Sequence, residues 1–290
     1  MAATLTTFKK DMDRMSDQRL QKKDYPKELT LVAEGDSWFD YPLKKDILDH
    51  LRKMGYAIKK FSKAGDTLEN MIYGSDYEIK GNEVYPKGPI SLQETLNAIR
   101  KHQPRFVLFS AGGNDVVGTE IMGYLHHKYS NPNSLVNKQV FQEKLLQMKS
   151  ALVYFIESVH TTYKHCDILM DGYDYAKVNG KGYNFIIKNL KGPWILPAMG
   201  QKAISLKKDQ NAIIKYLVDE FNAMLEQLSF TYPYFHYLNF RGMFKDEREW
   251  HNEIHLHNAG YRKVANKYHE KMTELLQFNP LQRFEKELLV

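Results

Sequence analysis

The stretch LVAEGDSWFDYP, residues 31–42, joins a short apolar run to a turn that holds a glycine, an aspartate and a serine. An apolar run of this length that ends on such a turn is consistent with a buried strand. By itself the triplet at 35–37 is ordinary turn chemistry. What Ser37 does therefore depends on what the rest of the chain brings close to it.

The pattern of the opening stretch recurs along the chain. Apolar runs lie at 29–35, 57–65, 105–113, 166–172 and 234–240. Amphipathic, helix-like segments lie at 43–54, 90–102, 138–164, 209–229 and 258–278. Strands that alternate with helices of this length predict a parallel sheet covered on both faces, and right-handed crossovers make it doubly wound. We therefore predict an α/β fold: a three-layer α/β/α sandwich with a flavodoxin-like parallel sheet of five strands.

The chain is interpreted as a single domain with additions. Residues 1–28 form a charged N-terminal extension, and residues 29–290 form the domain. Two stretches rich in glycine, tyrosine, lysine and proline, near 74–90 and 175–204, are interpreted as loop insertions in that domain and not as hinges between domains.

The composition excludes several classes of function. The net charge of +6 is spread along the chain, and no basic block with interleaved aromatics predicts nucleic-acid binding. The single cysteine, Cys166, follows a helical segment beside an apolar run and is interpreted as an inert core thiol. No apolar leader and no stretch of membrane-spanning length is seen, so we expect a cytoplasmic protein without stable membrane insertion.

Three further turns carry polar groups. Gly65 follows the second run, with Asp66 or Thr67 placed to cap a helix, and Asn114 follows two glycines after the third run. A segment before the last helix holds His251, His255 and His257. The carboxyl ends of parallel strands meet along one edge of a sheet, so these turns are expected to converge on one crevice.

Two other chemistries fit these turns less well. The glycine-rich turn before Asn114 could bind phosphate as a backbone nest, but it lacks the spacing of known nucleotide loops. The histidine spacing H-x3-H-x-H has neither an HExxH helix nor paired cysteines, so no metal site is expected.

Taken in order, the turns resemble the conserved blocks of the SGNH hydrolases, the superfamily of the GDSL-type lipases and esterases. The matching residues are Gly35-Asp36-Ser37, then Gly65, then Gly112-Gly113-Asn114-Asp115, and finally Asn252-Glu253-Ile254-His255. The resemblance runs from about residue 29 to about residue 275. It implies Ser37 as the nucleophile, His255 as its base, and an oxyanion hole formed by the N–H groups of Ser37 and Gly65 with the Asn114 side chain.

One position departs from the family pattern. SGNH hydrolases usually have an aspartate three residues before the histidine, and here that residue is Asn252. An amide oxygen can still accept a hydrogen bond from the ring and fix its tautomer, although it stabilises an imidazolium less than a carboxylate does. Asn252, or a serine–histidine dyad without an orienting residue, is the first expectation. Asp246 or Glu253 in that role is the second.

Further side chains are candidates for a substrate pocket. Trp38 follows the candidate nucleophile, and Tyr173, Asp174 and Trp194 follow the fourth run. These residues shape an acyl or leaving-group pocket, or they stabilise a long surface loop.

The leading hypothesis is a GDSL-type esterase that cleaves a carboxylic ester, a thioester or an O-acetyl group through an acyl-enzyme on Ser37, with no cofactor. The expected substrate is a small-molecule, lipid or sugar ester. The alternative is a non-catalytic module that binds acylated or phosphorylated ligands on the same scaffold. The sequence fixes neither the substrate nor the oligomeric state.

Overall fold

The computed structural model describes Arg14 and residues 29–42, 44–183 and 192–277. From residue 29 onward, the described residues form seven strands and seven α-helices. The strands are β1 (Thr30–Gly35), β2 (Ala57–Lys60), β3 (Tyr77–Lys80), β4 (Glu83–Pro86), β5 (Phe106–Ser110), β6 (Asp167–Gly172) and β7 (Phe235–Asn239). The helices are α1 (Ile47–Lys53), α2 (Leu68–Tyr73), α3 (Ile90–His102), α4 (Lys138–Thr162), α5 (Leu196–Gln201), α6 (Lys207–Thr231) and α7 (Asn258–Gln277). Two short 3-10 helices lie at Glu120–Tyr124 and Glu247–Glu249.

Five of the strands form one parallel sheet in the order β2-β1-β5-β6-β7. Counted along the chain, this is the 2-1-3-4-5 order of flavodoxin-like folds. Each of these strands lies within one of the apolar runs. The prediction of a three-layer α/β/α sandwich with a five-stranded parallel sheet is therefore confirmed.

Each face of the sheet packs against its own layer of helices. Leu31 and Ala33 of β1 lie in a core that also contains Tyr268 of α7 and residues of α1. Val32 lies in the opposite core, with residues of α2, α3, α4 and α6. A strand buried on both faces has apolar residues at successive positions, which explains why β1 has an unbroken apolar run.

The helix boundaries differ from the sequence prediction mainly at the first helix. The apolar spacing predicts a helix over 43–54, but α1 begins at Ile47. Asp46 caps α1: its side chain accepts from the Asp49 backbone N–H, and the Asp49 side chain accepts from that of Asp46. This reciprocal capping box fixes the start of α1.

The predicted loop insertion at 74–90 contains an ordered element. Strands β3 and β4 form an antiparallel hairpin in which Lys80 pairs with Glu83, around a turn with Gly81 at φ +66°. A two-residue turn with a glycine in the left-handed region suits a hairpin. Alternating polar and apolar residues on each side of this turn could have indicated the hairpin.

Parts of the other predicted additions lie outside the described residues. One part is the N-terminal extension, of which only Arg14 is described. The other part is residues 184–191 of the second insertion. The rest of that insertion includes α5. None of the described helices is long and apolar enough to cross a membrane.

The contact between the sheet and α4 can be tested by truncating one ring. Phe155 of α4 stacks on Phe109 of β5 with ring centroids 4.1 Å apart, and both are fully buried. Replacing Phe155 by alanine should lower the free energy of unfolding by about 3–5 kcal/mol, because it removes a large apolar side chain and leaves a cavity. Urea denaturation followed by circular dichroism measures the change.

The neighbouring Tyr154 provides the control, because its side chain is 51% exposed on the same helix. Tyr154→Ala should change the free energy of unfolding by less than about 1 kcal/mol. Equal losses in the two variants would contradict the assignment of Phe155 to the core.

Candidate active site

The turn after β1 is held against the end of β5. The Asp36 backbone N–H donates to the Ser110 carbonyl oxygen at 2.9 Å. A Cβ atom at Gly35 would lie 2.7 Å from the same oxygen, closer than real side chains come, so glycine is required there. The Lys63 N–H donates to the Gly35 carbonyl at 2.8 Å and ties the loop after β2 to the same point.

Ser37 and His255 meet in this turn, although 218 positions separate them in the chain. The Ser37 Oγ lies 2.8 Å from the His255 Nε2, and the His255 Nδ1 lies 3.0 Å from the Asn252 Oδ1. The amide oxygen can only accept, so Nδ1 carries the ring proton and Nε2 is free to accept from the serine. All three side chains are buried. This arrangement has the geometry of general-base activation of a hydroxyl.

The loop that carries His255 is anchored on both sides. The Trp38 Nε1 donates to the Ile254 carbonyl at 3.1 Å, which links the turn after β1 directly to this loop. The Glu253 carboxylate points the other way and accepts N–H groups of Gly180, Trp194, Ile195 and Leu196 at 2.6 to 3.2 Å. The Asn252 Oδ1 also accepts the backbone N–H of His255 at 2.9 Å, so one atom orients both the loop and the ring.

The second and third turns are tied to each other. Gly65 has φ +84°, a left-handed conformation that glycine adopts freely. The Asn114 Nδ2 donates to the Asp66 carbonyl at 2.8 Å, which leaves its second N–H for another acceptor. The Asp115 carboxylate accepts the Leu68 N–H at 2.7 Å and so joins the third turn to the start of α2. As expected, the side chain of Thr67 caps α2.

Burial keeps the histidines of this region neutral. It lowers the pKa of His255 to about 3, with a smaller contribution from nearby His251. Burial likewise lowers the pKa of His251 to about 4, helped by Lys44 and His257. A neutral imidazole can accept a proton, which an imidazolium cannot.

A buried acid lies next to Ser37. The Asp36 carboxylate accepts the Tyr173 hydroxyl at 2.5 Å and the Trp38 backbone N–H at 2.9 Å. Burial raises the pKa of Asp36 to about 7; these two hydrogen bonds oppose the rise, and nearby Asp171 adds to it. Asp36 therefore fixes the turn and the Tyr173 side chain, and it makes no hydrogen bond with His255.

An apolar cleft of ≈ 640 Å³, counted to its open mouth, lies beside Ser37. Its polar lining residues are Asp36, Ser37, Asn114 and Asp174. The apolar lining comes from Trp38, Val116, Val117, Tyr173, Ala176, Leu217, Val218, Phe221, Trp250 and Ile254. A concave apolar site with a few convergent polar groups is the form that small-molecule sites usually take.

The four predicted pocket residues occupy different places. Trp38, Tyr173 and Asp174 line the cleft, whereas Trp194 does not. The Trp194 ring packs edge-on against His255 with centroids 5.5 Å apart. The Asp174 carboxylate accepts the backbone N–H groups of Gly242 and Phe244, both at 2.6 Å, and so anchors the loop after β7.

The alternative orienting residues lie elsewhere. Asp246 caps the 3-10 helix at Glu247–Glu249 and pairs with Arg248 at the surface, which lowers its pKa to about 2. Glu253 is occupied by the backbone N–H groups described above. The acid closest in sequence to His255 therefore serves its loop and not its ring.

The three histidines have separate partners. The His251 Nδ1 lies 2.6 Å from the Tyr41 hydroxyl, and the His257 Nδ1 lies 3.4 Å from the Lys44 Nζ. Within the part of the chain that the structure describes, no group of three or more His, Cys, Asp or Glu residues is arranged to hold a metal ion. Cys166 is buried, as expected for a core thiol.

Sequence reasoning missed several residues of the site. Tyr41 and Tyr183 contact His255 with their rings, and Leu217, Val218 and Phe221 of α6 wall the cleft. The helical spacing of the α6 residues indicates a buried apolar face. It does not distinguish residues that pack in the core from residues that line a cleft. Tyr41 follows Ser37 by four residues, a proximity that could have marked it as a candidate.

The Glu253 anchor predicts a local effect on the loop before α5. Glu253→Gln replaces one carboxylate oxygen by an N–H donor that faces other donors, so buried amides lose a partner. Amide hydrogen exchange at Trp194, Ile195 and Leu196 should become at least about tenfold faster, as expected for a loss of about 1.4 kcal/mol or more. Mass spectrometry of peptides from this loop measures the change.

Asp246→Asn is the matched control, because this carboxylate bonds only its own surface turn in the described part of the protein. It should leave exchange in the loop before α5 unchanged. Unchanged exchange in Glu253→Gln as well would show that the carboxylate does not hold this loop.

Comparisons with known proteins agree on the fold. The sequence matches no protein-family model and none of the curated proteins. The lipase Lip_vut3 from a goat rumen metagenome aligns with a TM-score of 0.51 at 13% identity, over 83% of this chain and 96% of the lipase. Phospholipase A1 from Streptomyces albidoflavus NA297 aligns with a TM-score of 0.50 at 11% identity, over 83% of this chain and 98% of the phospholipase.

At such identities the similarity concerns the fold and carries no residue roles. The order of the strands agrees with this similarity of fold. The meeting of the four sequence blocks at the carboxyl ends of the strands agrees with it as well. The chain thus has the same fold as this lipase and this phospholipase.

Proposed function

We propose that the protein is a serine hydrolase that cleaves a carboxylic ester, a thioester or an O-acetyl group through an acyl-enzyme on Ser37. The observation that carries this proposal is the chain of two contacts from Ser37 through His255 to Asn252, at 2.8 and 3.0 Å. The two proteins with the same fold are a lipase and a phospholipase, which agrees with ester hydrolysis in general.

In the first half of the reaction, His255 accepts the Ser37 proton while the serine oxygen attacks the carbonyl carbon. The imidazolium then gives that proton to the leaving group, and the acyl group stays on Ser37. In the second half a water molecule takes the place of the serine, with the same proton transfers. The neutral state of His255 and its Nδ1–H contact with Asn252 support this role.

The oxyanion of each tetrahedral intermediate needs donors aimed at it. The N–H groups of Ser37 and Gly65 and the remaining N–H of Asn114 are proposed to serve as donors. Asn114 is supported by its place in the cleft and by the hydrogen bond that draws it to the Gly65–Asp66 turn. One such donor is commonly worth about 3 kcal/mol of transition-state stabilisation.

The apolar cleft is proposed to hold the acyl group. Most of its lining side chains are aliphatic or aromatic, and Ser37 is one of its few polar lining residues. Burial of each methylene of an acyl chain contributes about 0.8 kcal/mol, so such a cleft favours chains longer than acetyl.

Active-site labelling tests the nucleophile and the base. A fluorophosphonate probe should label the wild type, Ser37→Ala should not be labelled, and His255→Ala should be labelled far more slowly. Turnover of a nitrophenyl ester should fall by about 10⁴-fold or more in both variants, because nucleophile and base act as a unit. Ser150→Ala, on the surface of α4, is the matched control and should behave as the wild type.

Labelling of Ser37→Ala at the wild-type rate would rule out Ser37 as the nucleophile. Binding of acylated ligands without labelling or turnover would favour the alternative of a non-catalytic binding module, which the missing carboxylate at Asn252 motivates.

Acyl-chain preference tests the role of the cleft. Ala176→Phe adds a ring to its lining and should lower kcat/KM for octanoyl esters by about tenfold or more, because a cleft that is too small excludes the chain. The kcat/KM for acetyl esters should stay within about twofold and serves as the internal control. Equal losses for both esters would show that the acyl chain does not occupy this cleft.

A further inference from the structure

Among the described residues, no charged side chain is hydrogen-bonded to His255, so none can stabilise its doubly protonated form by a direct contact. Its side-chain hydrogen-bond partners in the described part of the chain are Ser37, Asn252 and Tyr183, and none of them is a carboxylate. The residue is only 1% exposed. An unpaired charge in such a place is costly, so the imidazolium that forms during turnover needs stabilisation from another source.

The nearest available source is the face of an aromatic ring. The Tyr41 ring lies against the His255 ring with centroids 4.6 Å apart and an angle of 30° between the planes. A cation within about 6 Å of a ring centroid is attracted by the negative face of the π system. This attraction is larger where water is excluded, and Tyr41 is fully buried.

Two other rings close the sides of the same histidine. The Tyr183 ring lies 5.3 Å from it at 31°, with the hydroxyl 3.4 Å from Nε2, and the Trp194 ring lies 5.5 Å away at 71°. The three rings exclude water from the imidazole, and of the three the Tyr41 face comes closest to it.

Tyr41 is held in this position from both ends. Its backbone N–H donates to the Asp46 carboxylate at 3.2 Å, and its hydroxyl lies 2.6 Å from the His251 Nδ1. The His251 backbone N–H in turn donates to the His255 carbonyl at 2.8 Å. His251 therefore links the Tyr41 phenol ring to the loop that carries the His255 imidazole, and these contacts hold the two rings against each other.

We propose that the face of the Tyr41 ring stabilises the His255 imidazolium and takes over part of the work that a carboxylate at position 252 does in other SGNH hydrolases. Tyr41 is thus a positioning residue that acts through His255, and the proposal rests on the proposed function. The path of the proton is unchanged. The proton leaves the Ser37 Oγ, resides on the His255 Nε2 next to the Tyr41 ring, and passes to the leaving group.

The first experiment changes the electron density of the ring and not its shape. Tyr41→Phe removes the hydroxyl, and 3,4,5-trifluorophenylalanine at the same position also withdraws electrons from the ring face. Relative to Tyr41→Phe, the trifluoro variant should show a kcat about three- to tenfold lower with KM within about twofold. Phe106, buried in the same core, is the control: the same fluorination there should leave kcat unchanged.

The second experiment supplies the missing charge. The Asn252 Nδ2 makes no hydrogen bond of ordinary geometry within the described residues, and the Asn252 side chain interacts with the Tyr41 hydroxyl. Both variants at position 41 lack that hydroxyl, so Asn252→Asp affects the two variants alike except through its charge. In the Asn252→Asp background the loss caused by fluorination at position 41 should shrink to less than about twofold, because a carboxylate now stabilises the imidazolium. A merely structural effect of fluorination would persist in both backgrounds.

The outcomes separate the two proposals. If the fluorophosphonate probe labels Ser37 and kcat is the same for the Tyr41→Phe and trifluoro variants, this inference is wrong and the proposed function stands. The inference is equally overturned if the loss is undiminished in the Asn252→Asp background. If Ser37 is not labelled in the wild type, the proposed function itself fails, and this inference fails with it.

Discussion

The close approach between the turn after β1 and the end of β5 is the constraint on which the site depends. Because Gly35 has no side chain, the Asp36 N–H reaches the Ser110 carbonyl, and Ser37 is presented at the edge of the sheet. The Trp38 indole then reaches the loop of His255 from this same turn. A larger residue at position 35 would shift the serine relative to every group that converges on it.

Buried carboxylates hold the loops of the site in place, and backbone N–H groups satisfy them. Glu253 binds the loop before α5, Asp174 binds the loop after β7, and Asp115 binds the start of α2. Each of these acids is adjacent in the sequence to a residue that lines the cleft: Asp115 to Asn114, Asp174 to Tyr173, and Glu253 to Ile254. The water-excluded interior strengthens such hydrogen bonds, and the same interior makes a charge on His255 costly. The rigidity of these loops and the role proposed for the Tyr41 ring therefore have the same physical cause.

The sheet was predictable because alternation of apolar runs and helices is a local signal, and parallel topology brings the turns together. Ser37, Gly65, Asn114 and His255 could be proposed from that convergence. Tyr41 could have been marked as a candidate by its nearness to Ser37 in the sequence, but its position against the His255 ring could not be predicted, because no spacing in the sequence encodes the tilt of one ring over another. Glu253 was only the second expectation for the orienting acid, and its carboxylate binds backbone N–H groups on the other side of the loop; which groups those are could not be predicted from the sequence.

The long separation between Ser37 and His255 also has a consequence for synthesis. Translation proceeds from the N-terminus, so the serine, its turn and the first three strands of the parallel sheet emerge long before the base. A nascent chain that has not yet exposed residue 255 has the serine hydroxyl but lacks the imidazole proposed to accept its proton. Under the proposed function, the order of synthesis therefore keeps the unfinished polypeptide inactive, and the proposed catalytic pair forms only when α7 can fold onto α1.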